Sequence, residues 1–268
     1  MLFDDNALLD KMLNDRKGSK VLVRGRKEFF LRKIKIIYEL LINKPFRVAA
    51  KTALNWAYRR ELGPRLGVPT IPVNDLFNWN DLEINLKSAT QNEGQTSHLE
   101  LLVILAAVKQ HIKVGQNFLE IGTYDGNTAS NVAINLGLDS KVITIDLPYG
   151  DSADAKFTYD DFLVKNPDRK LKKHLGMDNV LQIYADSTEY NFKEVSFHGA
   201  FIDGGHDYDT VRSDTINVLK NIQRPGFVLW HDYEVECEVG HVLHSLTPHF
   251  KVKHVEGTRM AYLFLDEV

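Results

Sequence analysis

The stretch that most constrains the fold runs from Asn117 to Asn127 and reads NFLEIGTYDGN. A short apolar run leads to an acid, Glu120, and the chain then turns through Gly122 and Gly126. The residues from Thr128 to Leu136 have a helical pattern, so the stretch predicts a strand, a turn and a helix in the layout of a nucleotide-type site. Glycine lets the backbone adopt strained dihedral angles and lets a ligand approach it closely.

The acid in this stretch indicates which kind of ligand fits. Phosphate-binding loops present backbone N–H groups and a lysine, whereas a carboxylate at Glu120 repels phosphate and attracts an amino group or a hydroxyl. We therefore expect a ligand with a cationic or hydroxylated face. The candidate contacts in the turn are Glu120, Gly122, Thr123, Tyr124, Gly126 and Asn127.

A second acid, Asp146, ends the next predicted strand, KVITID. In doubly wound sheets an acid at this place bonds the sugar hydroxyls of a nucleoside, because the carboxyl end of the strand opens into the ligand crevice. The alternative is a solvated acid at a strand end. A third strand is predicted from Val180 to Thr188 and contains Asp186 near its end.

Five segments, in this order, resemble the class I S-adenosylmethionine-dependent methyltransferases. The resemblance covers about Ser97 to Val268, and the segments are FLEIGTYDGNTA, VITIDLP, YADS, FIDGGHDY and GFVLWHDY. The last two resemble the branch that includes sugar and natural-product O-methyltransferases. The resemblance implies a doubly wound α/β fold with a seven-stranded, mostly parallel sheet, in which the glycine turn holds the amino-acid end of S-adenosylmethionine. It also implies that Asp186 lies near the adenine ring; alternatively Asp186 caps a helix starting near Thr188.

The two most specific segments place acids and imidazoles after neighbouring strands. One predicted strand ends before Asp203 and His206, and the next ends before His231 and Asp232. Neighbouring parallel strands lie about 4.8 Å apart, so these side chains are expected to converge at one rim. Asp203, His231 and Asp232 suit a divalent cation such as Mg²⁺, held by oxygen and nitrogen ligands.

Methyl transfer to oxygen would give this group of side chains a role. An alcohol is almost fully protonated at pH 7, so a metal or a base must activate it. His206, whose ordinary pKa is near 6.5, is the favoured base, His231 is the second, and Asp203 orients the acceptor and contacts the cofactor. In the alternative interpretation Asp203 caps the following helix, and the HDY at 231–233 is a hydrogen-bonded corner without a metal.

Residues 1–96 are predicted to form a helical region and linker ahead of a methyltransferase domain at residues 97–268. Helices are expected from Glu28 to Asn43 and from Arg47 to Leu62, the second ended by Gly63-Pro64. The SHLE at 97–100 has capping-box spacing. The first 65 residues carry 16 Lys or Arg against 7 Asp or Glu. One interpretation is that these helices pack on the domain or on a second subunit, which would give a homodimer. The other is that they present a basic surface to an anionic membrane or to a polyanionic substrate. No nucleic-acid recognition motif is visible.

The remaining features bound the protein class. Cys237 is the only cysteine, which excludes an intrachain disulfide and suits a reducing compartment. The segment MLFDDNALLDKML lacks the pattern of a secretory signal, and no window reaches the roughly 18 to 20 apolar residues of a membrane span. We expect a cytoplasmic protein, with peripheral membrane contact through the basic helices as an option.

The expected function is an S-adenosylmethionine-dependent O-methyltransferase acting on a sugar, a glycan or a small metabolite. A nicotinamide oxidoreductase would share the sheet and Asp146, but the spacing of Gly122 and Gly126 lacks the G-x-G-x-x-G pattern. A non-catalytic interaction protein on a methyltransferase scaffold would dock through its basic N-terminus. The retained acids and His206 argue against it. The long segment from Pro148 to Gly176 is predicted to be a lid or flap.

Overall fold

A computed structural model describes Ala57, Arg59 and residues 62–88, 96–147, 176–234 and 237–267. The predicted helix from Glu28 to Asn43 lies outside the described residues, as does the predicted lid apart from Gly176. Among the residues that are described, no helix has the length and apolar character that crossing a membrane requires.

One mixed sheet organises the described residues. The strand order is β1-β7-β8-β6-β5-β2-β3-β4, with β8 antiparallel to β6 and β7 and the other pairs parallel. The predicted α/β class with a mostly parallel sheet is therefore confirmed. The strands are β1 (Thr70–Ile71), β2 (Phe118–Ile121), β3 (Val142–Asp146), β4 (Val180–Tyr184), β5 (Gly199–Ile202), β6 (Gly226–Trp230), β7 (Lys253–Val255) and β8 (Ala261–Leu265).

The predicted count of seven strands was wrong by one, because the described residues form eight. The additional strand is β1, which pairs in parallel with β7, Thr70 opposite His254. It lies in the segment predicted as an irregular linker. A two-residue strand between Pro69 and Pro72 is too short to show the alternation of apolar and polar residues that marks a strand, so no sequence pattern revealed it.

Helices cover both faces of the sheet, as a doubly wound fold requires. The leucines of α1 and the apolar residues of α4 and α5 share one core, and α2 and α3 share the other. Each strand of the centre alternates its side chains between these two cores. The helices are α1 (Leu62–Leu66), α2 (His98–His111), α3 (Asn127–Ala133), α4 (Tyr208–Asn221) and α5 (Val239–Leu246).

The helix α1 corrects the prediction that Gly63-Pro64 ends a helix. Both residues lie inside α1, and the chain leaves the helix at Gly67, where φ is +80°. The Gly67 N–H donates to the Gly63 carbonyl at 2.9 Å. A glycine in the left-handed region is a usual helix end because it lacks a Cβ, so the stop signal was Gly67 and not the Gly-Pro pair.

The predicted capping box at the start of α2 is confirmed. The Ser97 Oγ accepts from the Glu100 N–H at 3.3 Å, and the Glu100 Oε2 accepts from the Ser97 N–H at 2.7 Å. The helix beyond the box is buried from Val103 to Val108. A side chain at the start of this helix is therefore close to the sheet, which becomes important for Glu100.

Part of the predicted linker lies along α3, the helix that follows the glycine turn. The Asn131 Oδ1 accepts from the Lys87 N–H at 2.9 Å, and the Asn135 Oδ1 accepts from the Asn85 N–H at 2.9 Å. The Asn135 amide also donates to the Asn85 carbonyl at 2.7 Å. Residues 85–88 are thereby fixed beside the helix that starts at the predicted cofactor turn.

Candidate active site

The glycine turn after β2 has the strained backbone that the sequence predicted. Gly122 and Gly126 have φ values of +90° and +76°, and Tyr124 between them has a φ of +47°. A Cβ at Gly122 would lie 2.1 Å from the carbonyl oxygen of Asp203. The loops after β2 and β5 therefore meet backbone to backbone at this point, and only glycine fits there.

A buried chain of hydrogen bonds supports this turn from below. Glu120 is 1% exposed, and its Oε2 accepts from the Thr144 hydroxyl at 2.6 Å. The hydroxyls of Thr144 and Thr123 lie 2.6 Å apart, and the Gln182 side-chain amide donates to Thr123 Oγ1 at 3.1 Å. The chain thus links the predicted contacts Glu120 and Thr123 to β3 and β4. Nothing in the sequence had indicated Thr144 or Gln182.

Burial raises the pKa of Glu120 from 4.5 to about 8, and the negative charges of Asp203, Asp146 and Asp125 add to this effect, whereas the Thr144 hydrogen bond opposes it. Glu120 therefore carries a proton at pH 7. The sequence had suggested an ionised carboxylate, so the structure shifts the negative charge of this region onto the acids around Glu120. A cationic ligand remains the best match to their combined charge.

The other predicted cofactor contacts lie around the same end of the sheet. Asp146 is the last residue of β3, and its Oδ1 accepts from the Leu147 N–H at 3.0 Å. Asn127 is the first residue of α3, and its N–H donates to the Asp125 carboxylate at 2.9 Å. Asp146 ends β3, and Asn127 lies in the segment after β2. The carboxyl ends of these two strands face one edge, where a doubly wound sheet binds its ligand.

Asp186 lies beyond β4, which ends at Tyr184 and not at Thr188 as predicted. Its Oδ1 accepts from the Thr188 N–H at 2.9 Å and from the Thr188 hydroxyl at 2.7 Å. Within residues 176–234 no helix starts at Thr188, so these bonds close a turn and cap no helix. The contact of Asp186 with an adenine ring stays a prediction.

The acids and imidazoles after β5 and β6 converge as the sequence predicted. The His206 Nε2 lies 2.7 Å from Asp232 Oδ2, and the His231 Nδ1 lies 3.0 Å from Asp203 Oδ1. The structural alternative for Asp203 fails, because the residue that caps α4 is Asp207, whose Oδ1 accepts from the Thr210 N–H at 3.0 Å. Asp203 is therefore available for chemistry at the rim.

The group that could hold a metal ion differs from the predicted one in its imidazole. Asp203, His206 and Asp232 each offer a ligand atom, and these atoms lie within 4.8 Å of one another. The prediction had named His231 with the same two acids. His231 is only 4% exposed, so its ring lies deeper than the rim.

The surroundings of His231 explain its different role. Its Nε2 lies 3.4 Å from Glu100 Oε2, and its Nδ1 faces Asp203 and Asp232. Burial lowers the pKa of His231, but the charges and contacts of these three carboxylates outweigh it and raise the pKa well above 6.5. His231 therefore lies buried between carboxylates at ion-pair distance, and neither ring nitrogen has a hydrogen bond of good geometry to a residue that the structure describes.

His206 and Asp232 form the more exposed pair. Burial lowers the pKa of His206, but its hydrogen bond to Asp232 and the nearby carboxylates raise the pKa above 6.5. Burial would raise the pKa of Asp232, but the contacts of His206 and His231 hold that pKa far below its usual range. Both shifts favour a charged His206 ring beside a charged Asp232 carboxylate.

Two residues that sequence reasoning had not assigned with any weight complete the site. The Arg259 Nη1 lies 2.6 Å from Asp232 Oδ1 and 3.4 Å from Glu234 Oε1. The Arg259 backbone N–H donates to Glu100 Oε1 at 2.7 Å. Glu100 had been explained by the capping box alone, and its partners lie more than 130 residues away in sequence, so no local pattern could have indicated them.

A small cavity lies beside His206 at the end of β5 and β6. Its wall combines the polar rim with apolar side chains from the core that contains α4 and α5. It is lined by Ile202, Asp203, Gly204, Gly205, His206, Val211, Trp230, His231 and Val239. The predicted base thus lies at the edge of a small recess with a largely apolar wall.

His254 and Cys237, which lie outside the rim, have structural surroundings. His254 is fully buried, with Nδ1 3.1 Å from the Thr70 hydroxyl and Nε2 3.1 Å from the Thr258 carbonyl. Cys237 lies beside Glu234, and burial together with neighbouring acids raises its pKa to about 12. Neither side chain is suited to nucleophilic or metal chemistry at neutral pH.

Comparisons with known proteins agree with the geometry. Residues 119–233 match the family model described as a methyltransferase domain. A search of curated proteins found no match to the chain. The match spans the glycine turn, β3 and β4, and the acids and imidazoles after β5 and β6.

Solved structures with a similar fold include several methyltransferases. The methyltransferase PaMTH1 of Podospora anserina, bound to SAH, is 13% identical with a TM-score of 0.46, covering 65% of this chain and 81% of its own. A putative caffeoyl-CoA O-methyltransferase from Staphylococcus aureus is 15% identical with a TM-score of 0.44, covering 64% and 85%. CalS11, a TDP-rhamnose 3'-O-methyltransferase, is 13% identical with a TM-score of 0.42, covering 62% and 79%. Likenesses this distant carry no argument about the acceptor.

The matched residues include the glycine turn and the acids and imidazoles of the rim. Residues 119–233 therefore resemble a methyltransferase domain. The match supports S-adenosylmethionine-dependent methyl transfer, the activity expected from the sequence.

Proposed function

We propose that the protein methylates a hydroxyl group of a sugar, a glycan or a small metabolite, with His206 as the general base. The observation that carries this proposal is the contact of 2.7 Å between His206 Nε2 and Asp232 Oδ2, beside Asp203 and the glycine turn. A hydroxyl needs help to lose its proton at neutral pH, and an imidazole oriented by a carboxylate provides that help. The preference for sugars rests on the resemblance of the FIDGGHDY and GFVLWHDY segments.

The cofactor would lie against the glycine turn and the acids around it. S-adenosylmethionine supplies an electrophilic methyl group on a positively charged sulfur. The residues proposed to hold it are Glu120, Gly122, Thr123, Tyr124, Gly126, Asn127, Asp146, Asp186 and Asp203. Asp146 would bond the ribose hydroxyls, and the acids near Glu120 would attract the cationic end of the ligand.

The chain's own residues divide the remaining work. Asp232 accepts a hydrogen bond from His206 Nε2 and thereby fixes which ring nitrogen takes up a proton. His206 then removes the acceptor proton through Nδ1 while the acceptor oxygen bonds to the methyl carbon. The bond between that carbon and sulfur breaks, and its electron pair remains on sulfur. Asp203 would orient the acceptor.

A divalent cation is a second way to activate the same hydroxyl, and a specific observation favours testing it. Asp203, His206 and Asp232 offer two carboxylate oxygens and a nitrogen within 4.8 Å, which suits Mg²⁺ or Mn²⁺. A bound cation would lower the pKa of the acceptor hydroxyl. Asp232 already contacts His206 and Arg259. Asp203 would therefore be the more accessible carboxylate ligand for the cation.

The proposal can be tested with methyl-labelled S-adenosylmethionine and a panel of hydroxylated acceptors that includes nucleotide sugars, oligosaccharides and small phenols. His206→Gln should lower the rate about 10²- to 10⁴-fold, the usual contribution of a general base. His249→Gln is the matched control, because His249 is exposed and lies outside the site. Equal rates for both variants and the wild type would remove His206 from the mechanism.

Chelation separates the two modes of activation. If a cation is required, EDTA should abolish transfer and Mg²⁺ or Mn²⁺ should restore it. If His206 acts alone, EDTA should have no effect, and the rate should rise with pH through a pKa above 6.5, because the deprotonated ring is the active form. A pH-independent rate that is indifferent to EDTA would contradict both.

A further inference from the structure

We propose that Glu100 and Arg259 are positioning residues, which together hold Asp232 and Asp203 in the arrangement that methyl transfer needs. Neither residue lines the cavity beside His206, and both act through the side chains that do. The inference rests on the proposed function of the rim, and it adds two residues from distant parts of the chain to it.

Glu100 makes more contacts than a helix cap requires. One oxygen, Oε2, accepts from the Ser97 N–H and faces the His231 ring, and the other, Oε1, accepts from the Arg259 N–H. The carboxylate is fully buried. A capping box works equally well at a protein surface, where the acid stays hydrated. The desolvation free energy of burying a carboxylate is larger than the free energy that a helix cap contributes. The burial therefore needs another explanation.

The contacts of Glu100 lead to Asp203. Glu100 faces one nitrogen of His231, and the other nitrogen lies 3.0 Å from Asp203 Oδ1. The ring is thus held between two carboxylates, one in the core and one at the rim. Moving or neutralising Glu100 would let the ring turn and would change the direction in which Asp203 is held.

Arg259 holds the other acid. Its guanidinium contacts Asp232 Oδ1 at 2.6 Å, so Asp232 Oδ2 is directed at His206. Its backbone is fixed on both sides, because the Arg259 N–H donates to Glu100 and the Arg259 carbonyl accepts from the Tyr233 N–H at 3.0 Å. Asp232 itself has a φ of +50°. An unfavourable backbone conformation at the acid that orients the base is maintained only by such surrounding contacts.

The test compares Glu100→Gln with Ser97→Ala. Both variants break one half of the capping box, but only Glu100→Gln removes the charge that faces His231 and Arg259. We expect Glu100→Gln to lower kcat at least tenfold with KM for S-adenosylmethionine within about twofold of the wild type. Ser97→Ala should lower Tm while leaving kcat within about twofold. If the wild type is active and the two variants have equal kcat values, the inference is overturned.

Arg259 offers an independent measurement. Arg259→Ala should lose activity at least tenfold, and added guanidinium ion should restore part of it, because the ion can occupy the space beside Asp232. Arg259→Lys should fall between Arg259→Ala and the wild type, because one ammonium cannot reproduce the guanidinium fork. Loss of activity in Arg259→Ala with no rescue and no improvement in Arg259→Lys would indicate a role in folding only.

A readout that needs no acceptor distinguishes this inference from the proposed function. The ¹⁵N signals of the His206 ring report its contact with Asp232, and they should move in Glu100→Gln and Arg259→Ala but not in Ser97→Ala. If the wild type transfers no methyl group to any acceptor and the signals still move, the proposed function fails and the positioning role stands. If the signals are the same in all variants, the positioning role fails.

Discussion

Two buried glutamates, Glu100 and Glu120, differ in how the protein accommodates them. Glu100 lies among cationic groups, and although burial would raise its pKa, His231 and Arg259 hold the pKa well below its usual range. Glu120 lies among acids and a threonine, and its pKa rises to about 8. Both side chains are at most 1% exposed. Burial alone therefore does not decide whether a carboxyl group is charged; the sign of its neighbours does.

This difference divides the rim into two parts with different chemistry. The part under the glycine turn is a neutral hydrogen-bonded chain through Thr144 and Thr123. The part after β5 and β6 is an ionic network through His231, Asp232 and Arg259. We infer that the neutral part fixes the shape of the cofactor turn, whereas the ionic part fixes the direction of the reacting groups.

The largest effect is expected in the ionic part, for Asp232→Ala. The substitution leaves Arg259, His206 and His231 without their shared partner, and breaking a buried pair costs about 3–5 kcal/mol. Urea unfolding at pH 7 measures the loss. Asp178→Ala, at an exposed acid, is the control and should change the free energy of unfolding by less than about 0.5 kcal/mol. A loss below about 1 kcal/mol for Asp232→Ala would show that the network behaves like exposed ion pairs.

The next effect concerns the neutral part and is a dependence of folding stability on pH. Folded Glu120 keeps its proton up to about pH 8, whereas an unfolded glutamate releases it near 4.5. The unfolded chain therefore binds fewer protons between these values, and the wild type loses stability as pH rises, by up to about 1.4 kcal/mol per pH unit. Glu120→Gln has no such proton, so its stability relative to the wild type should increase from pH 5 to pH 8.

Urea unfolding of wild type and Glu120→Gln at pH 5, 6, 7 and 8 provides the measurement. Glu100→Gln is the matched control, because an acid whose pKa is depressed cannot produce this slope above pH 5. Parallel stability profiles for Glu120→Gln and the wild type would mean that Glu120 is ionised in the folded protein. The contrast between the two glutamates would then be lost.

A smaller effect is expected at Asp146, the acid at the end of β3 that is proposed to bind the cofactor. Asp146→Ala should weaken binding of S-adenosylmethionine about tenfold, because a hydrogen bond to a charged group contributes roughly 1.5–3 kcal/mol. Isothermal titration calorimetry measures the affinity. Asp178→Ala again serves as the control. An unchanged affinity for Asp146→Ala would exclude Asp146 from the cofactor site.

The smallest effect is expected for Thr144→Val in the neutral part. The substitution keeps the shape of the side chain and removes the donor to Glu120, so it should cost about 1 kcal/mol of stability. Thr144→Ser keeps the hydroxyl and should retain most of the wild-type stability. Thermal unfolding of both variants measures the difference. If serine and valine destabilise equally, the methyl group and not the hydrogen bond supports the turn.

The sequence predicted the sheet well because its strands are short apolar runs that end in acids or turns. The seven expected strands are present, and Glu120, Asp146, Asp203, His206 and Asp232 lie at one edge, since the carboxyl ends of parallel strands always share an edge. The expected left-handed turn at Gly122 is also present. These features depend on local pattern and on topology.

The features that sequence reasoning missed depend on contacts between distant segments. Glu100 and Arg259 are 159 residues apart, and Glu100 had a sufficient local explanation in the capping box. The structure places His206, and not the predicted His231, in the candidate metal group with Asp203 and Asp232. The difference arises because the core covers the His231 ring, which no spacing rule predicts. Strand β1 gains its pairing from β7, because two residues between prolines have no pattern of their own.

The contact between Gly122 and Asp203 has a consequence for engineering this protein. The chain has no room for even one methyl group between these two loops, so a substitution at Gly122 would displace the loop that bears Asp203. Variants that lose cofactor binding but keep an intact reacting rim therefore cannot be made at this glycine. Separation-of-function alleles should instead be sought at Asp146, the acid proposed to bond the ribose of the cofactor.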